Sequence, residues 1–517
     1  MKQKTWIISA LMYAMVIMAC LGVLHLLKEM TENNAPSGTV AEESTDHTEP
    51  EIDFAEEEET KEDIAETGAE EEESDVPVER EEGYYGWKQE LPQIFPSVPE
   101  EVPYEPPRLI LATDLHYQSA QADDGGAAFQ LFVERGDGKV VEYLPELLEA
   151  FMDQVIEEHP SALVLSGDIT MNGEKINHEE LARGLMRVQD AGIPVLIVPG
   201  NHDINNPHAA VYFGEEKAET DPVTPEEFYN IYHMYGYDQA ISRDDASLSY
   251  VYQLDERNRL LMLDTCQYEP KNMVEGQLKV ETFQWADEQL KKAKKDGINV
   301  LPIGHHNLLA QSRMYTTQCA MNNNGDVIEL FQKYELPLYL SGHLHVQRIR
   351  KHKAEPGAAD DSYGIMEIVT DALSIPPCQY ALLEWKRDGS MEYSTKAVDV
   401  SAWAARTGSQ NPDLLDFEGW SERYIQKLII DQIRGVVKNL GNDVEHSMAE
   451  VYASVYIDYY AGRRIDAKGI RSSKGYRWWE RNMPDSYLLK ELDAMIDDSD
   501  RDNNYMLLPE VNAAAEE

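Results

Sequence analysis

The chain has 517 residues, 95 of them Asp or Glu against 45 Lys or Arg, for a formal net charge of -50 and a mean hydropathy of -0.50. That length accommodates more than one domain and a full-sized buried core, and four scattered cysteines do not make a disulfide framework. A surface this acidic repels phosphate backbones and excludes duplex nucleic-acid binding through a basic face, although an anionic small molecule is admitted where bound cations reverse the sign locally.

In chain order, Lys2 and Lys4 precede an almost unbroken apolar run over residues 6–27, closed by Lys28. The run is long enough to span a bilayer as a helix. The positive-inside rule then places the N-terminus in the cytoplasm and everything after it outside. A cleaved signal peptide and a lipidated Cys20, after Ile17-Met18-Ala19, are the rival readings of 1–27. All three predict an extracytoplasmic protein, membrane-anchored at the cell surface or secreted. Residues 28–100 carry about two fifths of the acidic excess, in runs such as Glu56-Glu57-Glu58-Glu59 and Glu70-Glu71-Glu72-Glu73. With few apolar residues to offset ordering entropy, they are expected to form a disordered acidic linker. Pro92, Pro96, Pro99, Pro103, Pro106 and Pro107 end it as an extended approach.

The pattern over 101–400 predicts a layered α/β domain. Short apolar runs at 109–112, 162–165, 194–198, 260–263, 300–303 and 338–340 read as strands buried on both faces, separated by helix-length spacers. Alternation around Asp255-Glu256-Arg257-Asn258 and around Arg387-Asp388-Gly389 predicts two hairpins. Three- and four-residue apolar spacing at 419–440, 448–460 and 478–496 predicts an all-α domain over 401–517, with Trp478 and Trp479 in its core. Cys266, Cys319 and Cys378 read as buried or free thiols.

The predicted strands end in polar residues suited to metal binding. These are Asp114-Leu115-His116, Gly167-Asp168, Gly200-Asn201-His202-Asp203, Gly304-His305-His306 and Gly342-His343-Leu344-His345. Ligands gather at the carboxyl ends of such strands, so distant residues converge by fold logic. Carboxylate, imidazole and amide oxygen suit Mn, Fe or Zn without a thiolate. Alternation lets Asp114 and His116, and likewise His343 and His345, face one way. The glycines before Asp168, Asn201, His305 and His343 are expected to allow tight turns. Each motif alone is weak or moderate; all five in this order, each after an apolar strand, are not a chance pattern.

Over residues 108–400, including the closing stretch Thr370-Asp371-Ala372-Leu373-Ser374, the chain resembles the calcineurin-like metallophosphoesterase superfamily. The resemblance implies a layered β-sandwich flanked by helices and a site for two divalent cations (Mn, Fe or Zn). One cation would be held by Asp114, His116, Asp168 and His345, the other by Asp168, Asn201, His305 and His343, with Asp168 bridging. His305 is preferred to His306 because the family's usual ligand is the first His of such a pair. His202 would contact the phosphate and assist the leaving oxygen, with Asp203 orienting it. A metal-bridging hydroxide would attack phosphorus in line. The purple acid phosphatase branch carries a Tyr where this chain has Met171, which favours a divalent pair. The ligand set and the added helical domain resemble secreted bacterial members of the cyclic-nucleotide phosphodiesterase branch. The implied substrate is a phosphoester small molecule: a phosphodiester, cyclic nucleotides being one candidate, or alternatively a phosphomonoester or nucleotide. A catalytically decayed surface-binding protein is a third reading, against which the complete ligand set argues.

The remaining histidines have plainer readings. His159, His178, His233 and His352 are expected at the surface or at helix caps, and His208 at the site rim. The acidic turn Asp123-Asp124-Gly125-Gly126 reads as a mobile loop that could cover the metals. Residues 400–510 are expected not to be needed for building the metal site but to shape substrate access, with Arg463, Arg464 and Lys468 as candidate anion contacts.

Overall fold

The computed structural model describes residues 104–352 and 364–508; the apolar run of 6–27 and the acidic stretch of 28–100 lie outside them. In chain order the catalytic region begins with β1 (Arg108–Ala112), α1 (Ala127–Glu134), α2 (Leu144–Glu158), β2 (Ala162–Ser166), α3 (Lys175–Asp190) and β3 (Val195–Val198). A small hairpin, β4 (Ala210–Phe213) and β5 (Glu216–Glu219), precedes α4 (Pro225–Tyr232). Then come β6 (Ser242–Arg243), β7 (Tyr250–Gln253), β8 (Asn258–Leu263), α5 (Val280–Asp296), β9 (Asn299–Gly304), α6 (Asn324–Lys333) and β10 (Leu338–Ser341). The region closes with β11 (Arg348–Lys351), β12 (Met366–Val369), β13 (Gln379–Trp385) and β14 (Met391–Ala397).

The helical region contains α7 (Val400–Thr407), α8 (Pro412–Leu415), α9 (Phe417–Val436), α10 (Asn442–Tyr460), α11 (Ala467–Ser472), α12 (Lys474–Asn482) and α13 (Tyr487–Asp498), followed by β15 (Tyr505–Leu508). The single helix expected over 478–496 is two, because Pro484 cannot continue α12 and Ser486 starts α13 by accepting from the Leu488 N–H. Cys266 and Cys378 are buried and Cys319 is half-buried, and none of the three forms a disulfide among the described residues.

Two sheets carry the fold, one of six strands in the order β15-β14-β13-β1-β2-β3 and one of seven in the order β11-β12-β10-β9-β8-β7-β6. β1, β2 and β3 run parallel, as do β8, β9 and β10. Both predicted hairpins are present, β7 with β8 and β13 with β14. The sides of β8 show why its apolar run is continuous. Leu260 and Met262 pack into the core shared with β1, β2 and β3, whereas Leu261 and Leu263 pack against residues of α5 and α6. A strand covered on both faces needs apolar residues at every position. The result is the expected β-sandwich with flanking helices.

The helical region has its own core, of Ile425, Ile429, Ile433, Tyr452, Tyr456, Trp479, Leu492 and their neighbours. Trp479 is fully buried there and donates from its indole to the Met448 carbonyl. That core also contains Leu344 and Val346 of the catalytic region. β15 then returns to pair antiparallel with β14, a strand that the helical spacing did not predict. At the end of α13, buried Asp498 accepts from the Arg313 N–H at 2.9 Å and pairs with Arg350 at 2.9 Å. Its carbonyl takes the Arg348 guanidinium at 2.7 Å.

Candidate metal centre

The candidate ligands follow strand ends in both sheets: Asp114 and His116 after β1, Asp168 after β2, Asn201 after β3, His305 after β9, and His343 and His345 after β10. Five of them hold left-handed backbone: Asp114 at φ 53°, His116 at 45°, Asp168 at 48°, His343 at 70° and His345 at 58°. That conformation costs a non-glycine residue about 1–2 kcal/mol, and such strain gathers at functional sites. A lattice of hydrogen bonds holds it in place. The Asp114 N–H donates to the Gly167 carbonyl (3.0 Å) and the His116 N–H to the Asp168 carbonyl (2.9 Å). The His343 N–H donates to Asp114 Oδ2 at 3.0 Å and the His202 N–H to Asp168 Oδ1 at 2.7 Å. In the closing stretch, Ser374 donates to the Asp114 carbonyl.

The glycine before a ligand acts here by close approach as much as by turning. A Cβ on Gly200 would collide with the Asp168 N–H and carboxylate, and one on Gly342 with the Thr113 hydroxyl.

Donor atoms of Asp114, His116, Asp168 and His345 all lie within 4.8 Å of one another. His116 Nε2 faces His345 Nε2 at 3.1 Å, and His345 Nε2 is 3.1 Å from Asp114 Oδ1. Asp114 Oδ1 is buried without a hydrogen-bond partner. Two imidazole nitrogens and a carboxylate oxygen aimed at one point leave room for a cation and little else. The second group centres on His305, whose Nε2 is 3.3 Å from Asp168 Oδ2 and 3.3 Å from Asn201 Oδ1. His343 has a ring nitrogen within 4.8 Å of one of His305. Asp168 borders both groups. Burial opposes its ionisation, but the charges of His305 and His202 hold its carboxyl well below the usual range. The donor set therefore fits two cations that share Asp168.

Carbonyl partners assign the tautomers, since a carbonyl only accepts. His305 Nδ1 donates to the Ser166 carbonyl at 3.0 Å, freeing Nε2. His343 Nε2 donates to the Gln318 carbonyl at 2.9 Å, freeing Nδ1. His306 lies in the same cluster but has no nitrogen to spare: Nε2 donates to the Val274 carbonyl and Nδ1 faces the Thr265 hydroxyl at 2.8 Å.

His202 is placed beside the pair, its Nε2 3.9 Å from Asp168 Oδ2, and its side chain is 18% exposed where that of His305 is 0%. Its Nδ1 donates to the Met171 carbonyl at 2.8 Å, which leaves Nε2 without a proton. Asp203 does not orient His202 by a direct hydrogen bond. Its carboxylate is taken up by the N–H groups of Thr170 and Gly200 and by the Thr170 hydroxyl. It pins the loops after β2 and β3 together, which places the Met171 carbonyl. Burial and the charge of Asp168 push its carboxyl up to about 7.

Two further expectations change. His178 is fully buried, with Nε2 donating to the Asp203 carbonyl at 2.9 Å and Nδ1 facing the Tyr232 hydroxyl at 3.0 Å; it reads as polar in sequence because its partners are far along the chain. The turn at 123–126 is anchored, with the Asp124 carboxylate accepting from the Gly126 and Gly214 N–H groups. His159 is a C-cap, as expected. Arg463, Arg464 and Lys468 are exposed, and Arg463 pairs with Asp458 at 3.6 Å. The sequence reading missed Asp137, Lys139 and Gln318, which no motif marks. Among the described residues no helix is long and apolar enough to cross a membrane.

Residues 107–347 match the calcineurin-like phosphoesterase family, and residues 399–502 match the C-terminal domain of cyclic nucleotide phosphodiesterase. No curated protein matches the chain. Similar solved structures include a dimetal phosphatase from Danio rerio, at 15% identity and TM-score 0.42, covering 57% of this chain and 97% of that one. A purple acid phosphatase from yellow lupin (Lupinus luteus) seeds is similar at 13% identity and TM-score 0.38, over 57% of this chain and 52% of that one. The chain thus carries a calcineurin-like phosphoesterase domain followed by a cyclic nucleotide phosphodiesterase C-terminal domain, and it is a phosphoester hydrolase.

Proposed function

We propose that this hydrolase is a phosphodiesterase with a two-cation centre, and that cyclic nucleotides are within its substrate class. The observation that carries the reading is the sharing of Asp168 between two imidazole-rich groups, with a half-buried His202 beside them. Asp114, His116, Asp168 and His345 would hold one divalent ion (Mn, Fe or Zn), and Asp168, Asn201, His305 and His343 the other. Bound there, the ions supply Lewis acidity and water activation for attack on phosphorus.

The chain's own groups do the rest. Gln318 and Ser166 hold two ligand rings in the tautomers that turn a bare nitrogen inward. His202 presents Nε2 to the phosphoryl group, and an approaching anion favours its protonated form, which then donates to the leaving oxygen. The diester reading is supported by the C-terminal family match.

Chelation should abolish turnover of bis(p-nitrophenyl) phosphate, and Mn²⁺ should restore it. His202→Ala should keep its metal and lose roughly 10²–10⁴-fold in kcat, whereas Asp168→Ala should lose metal. Faster turnover of p-nitrophenyl phosphate than of the diester would make it a phosphomonoesterase. Full activity in a sample free of metal by elemental analysis would overturn the reading.

The same proposal places the enzyme outside the cytoplasm. It rests on Lys2, Lys4 and the apolar run at 6–27. Recovery of the whole activity in the soluble cytoplasmic fraction would contradict it.

A further inference from the structure

Between α1 and α2 the chain makes a short loop that buries two opposite charges. Asp137 and Lys139 are 8% and 9% exposed, and Lys139 Nζ lies 2.5 Å from Asp137 Oδ2. The same Oδ2 is 3.7 Å from Nδ1 of His345, whose Nε2 is the atom facing Asp114 and His116. The order of groups is therefore ammonium, carboxylate, imidazole, candidate metal position.

Burying a charged pair costs several kcal/mol of solvation that the mutual attraction repays only in good geometry, and an isolated pair adds little to stability. The cost is explained when the charges act on something buried beside them. A carboxylate behind the outer nitrogen of a metal-binding imidazole fixes the ring's orientation and raises its basicity. The ammonium stands on the far side of that carboxylate, 2.5 Å from it, and offsets its burial as a charge.

Helix α9 holds this loop in place. Tyr424 Oη donates to the Lys139 carbonyl at 3.0 Å, and Gln432 Nε2 to the Gly136 carbonyl at 3.3 Å. Between them Gly138, at φ 106°, packs where a Cβ would collide with Ile425 Cδ1.

We propose that Asp137 is a positioning residue for His345 in the phosphoesterase centre, held charged in its buried loop by Lys139. The proposal rests on the two-cation reading above. It is tested on the full chain, with folding of each variant checked by metal-free thermal unfolding. Asp137→Asn should raise the dissociation constant for Mn²⁺ by roughly 10–100-fold, read by chelator competition. Lys139→Met should weaken Mn²⁺ binding in the same direction, and Lys139→Arg, which keeps the charge behind Asp137, should restore most of it.

If wild-type protein binds Mn²⁺ and cleaves the diester while Asp137→Asn binds Mn²⁺ as tightly as wild type, the positioning role is wrong. If Lys139→Met binds Mn²⁺ as tightly as wild type, or Lys139→Arg binds it no better than Lys139→Met, the charge of Lys139 is not what holds Asp137 in that role. If Asp137→Asn or Lys139→Met fails to fold when metal-free, the pair is structural and the proposal falls. A wild-type protein that binds no Mn²⁺ would instead sink the two-cation reading, and this proposal with it.

Discussion

Glu491, on α13, is buried and offers a residue-level test of how the helical core tolerates a carboxyl group. Its Oε2 accepts from the Tyr452 hydroxyl at 2.9 Å, while Oε1 is buried without a partner. Burial pushes its acid up to about 8, against the bonds from Tyr452 and Tyr487 that favour the ionised form. Because the folded-state value lies above the unfolded one, Glu491 contributes stability that is complete below about pH 4.5 and lost as pH rises through 8. Glu491→Gln removes the ionisation. Its stability relative to wild type should therefore improve by up to about 4 kcal/mol between pH 5 and pH 8. Denaturant unfolding of both proteins in chelator at the two pH values measures this, and a constant difference would refute it. At the metal centre the residue types were legible in sequence, since Asp, His and Asn after apolar strands announce their chemistry. The left-handed backbone of five of them was not, because φ depends on the loops that clamp each ligand.

The segment from His343 to Gln347 shows how one element serves two cores. His343 and His345 turn toward the metal position, and the alternate residues Leu344 and Val346 sit in the helical core. The following Gln347 takes the Tyr460 carbonyl through its N–H and donates to the Asn503 carbonyl from its side chain. A second loop, after β9, is tied the same way: Ser312 Oγ faces the Tyr459 hydroxyl at 2.6 Å, and farther along the Gln318 carbonyl holds His343. Leu344→Ala should cost about 2–5 kcal/mol of stability, as a buried leucine truncation does. It should also weaken Mn²⁺ binding, because a slack Leu344 lets both flanking imidazoles drift. Chelator competition and thermal unfolding check the two effects together. A variant that loses stability while keeping wild-type Mn²⁺ affinity would show that the backbone alone holds the ligands.

For the whole molecule, the packing argues against the expectation that residues 400–510 are dispensable for the metal site. Leu344 and Val346 would lose their core, the Gly136–Lys139 carbonyls their donors on α9, and β14 its neighbour β15. A chain of residues 104–399 should therefore not unfold cooperatively and should bind Mn²⁺ at least tenfold more weakly than the full chain, by chelator competition. Wild-type affinity in that fragment would restore the dispensable reading. The sequence by itself determined the strands whose both faces are buried, since continuous apolar runs report local burial, and the ligand residue types, since donor chemistry is a property of each side chain. Only the tertiary structure decided which His of His305-His306 is free to bind, because Thr265 and Val274 claim the second ring from other loops. It likewise decided that Asp203 ties loops rather than bonding His202 directly, and that Asp137 and Lys139 stand behind His345. Each of these depends on contacts between residues tens to hundreds of positions apart, and no local periodicity encodes such a pairing.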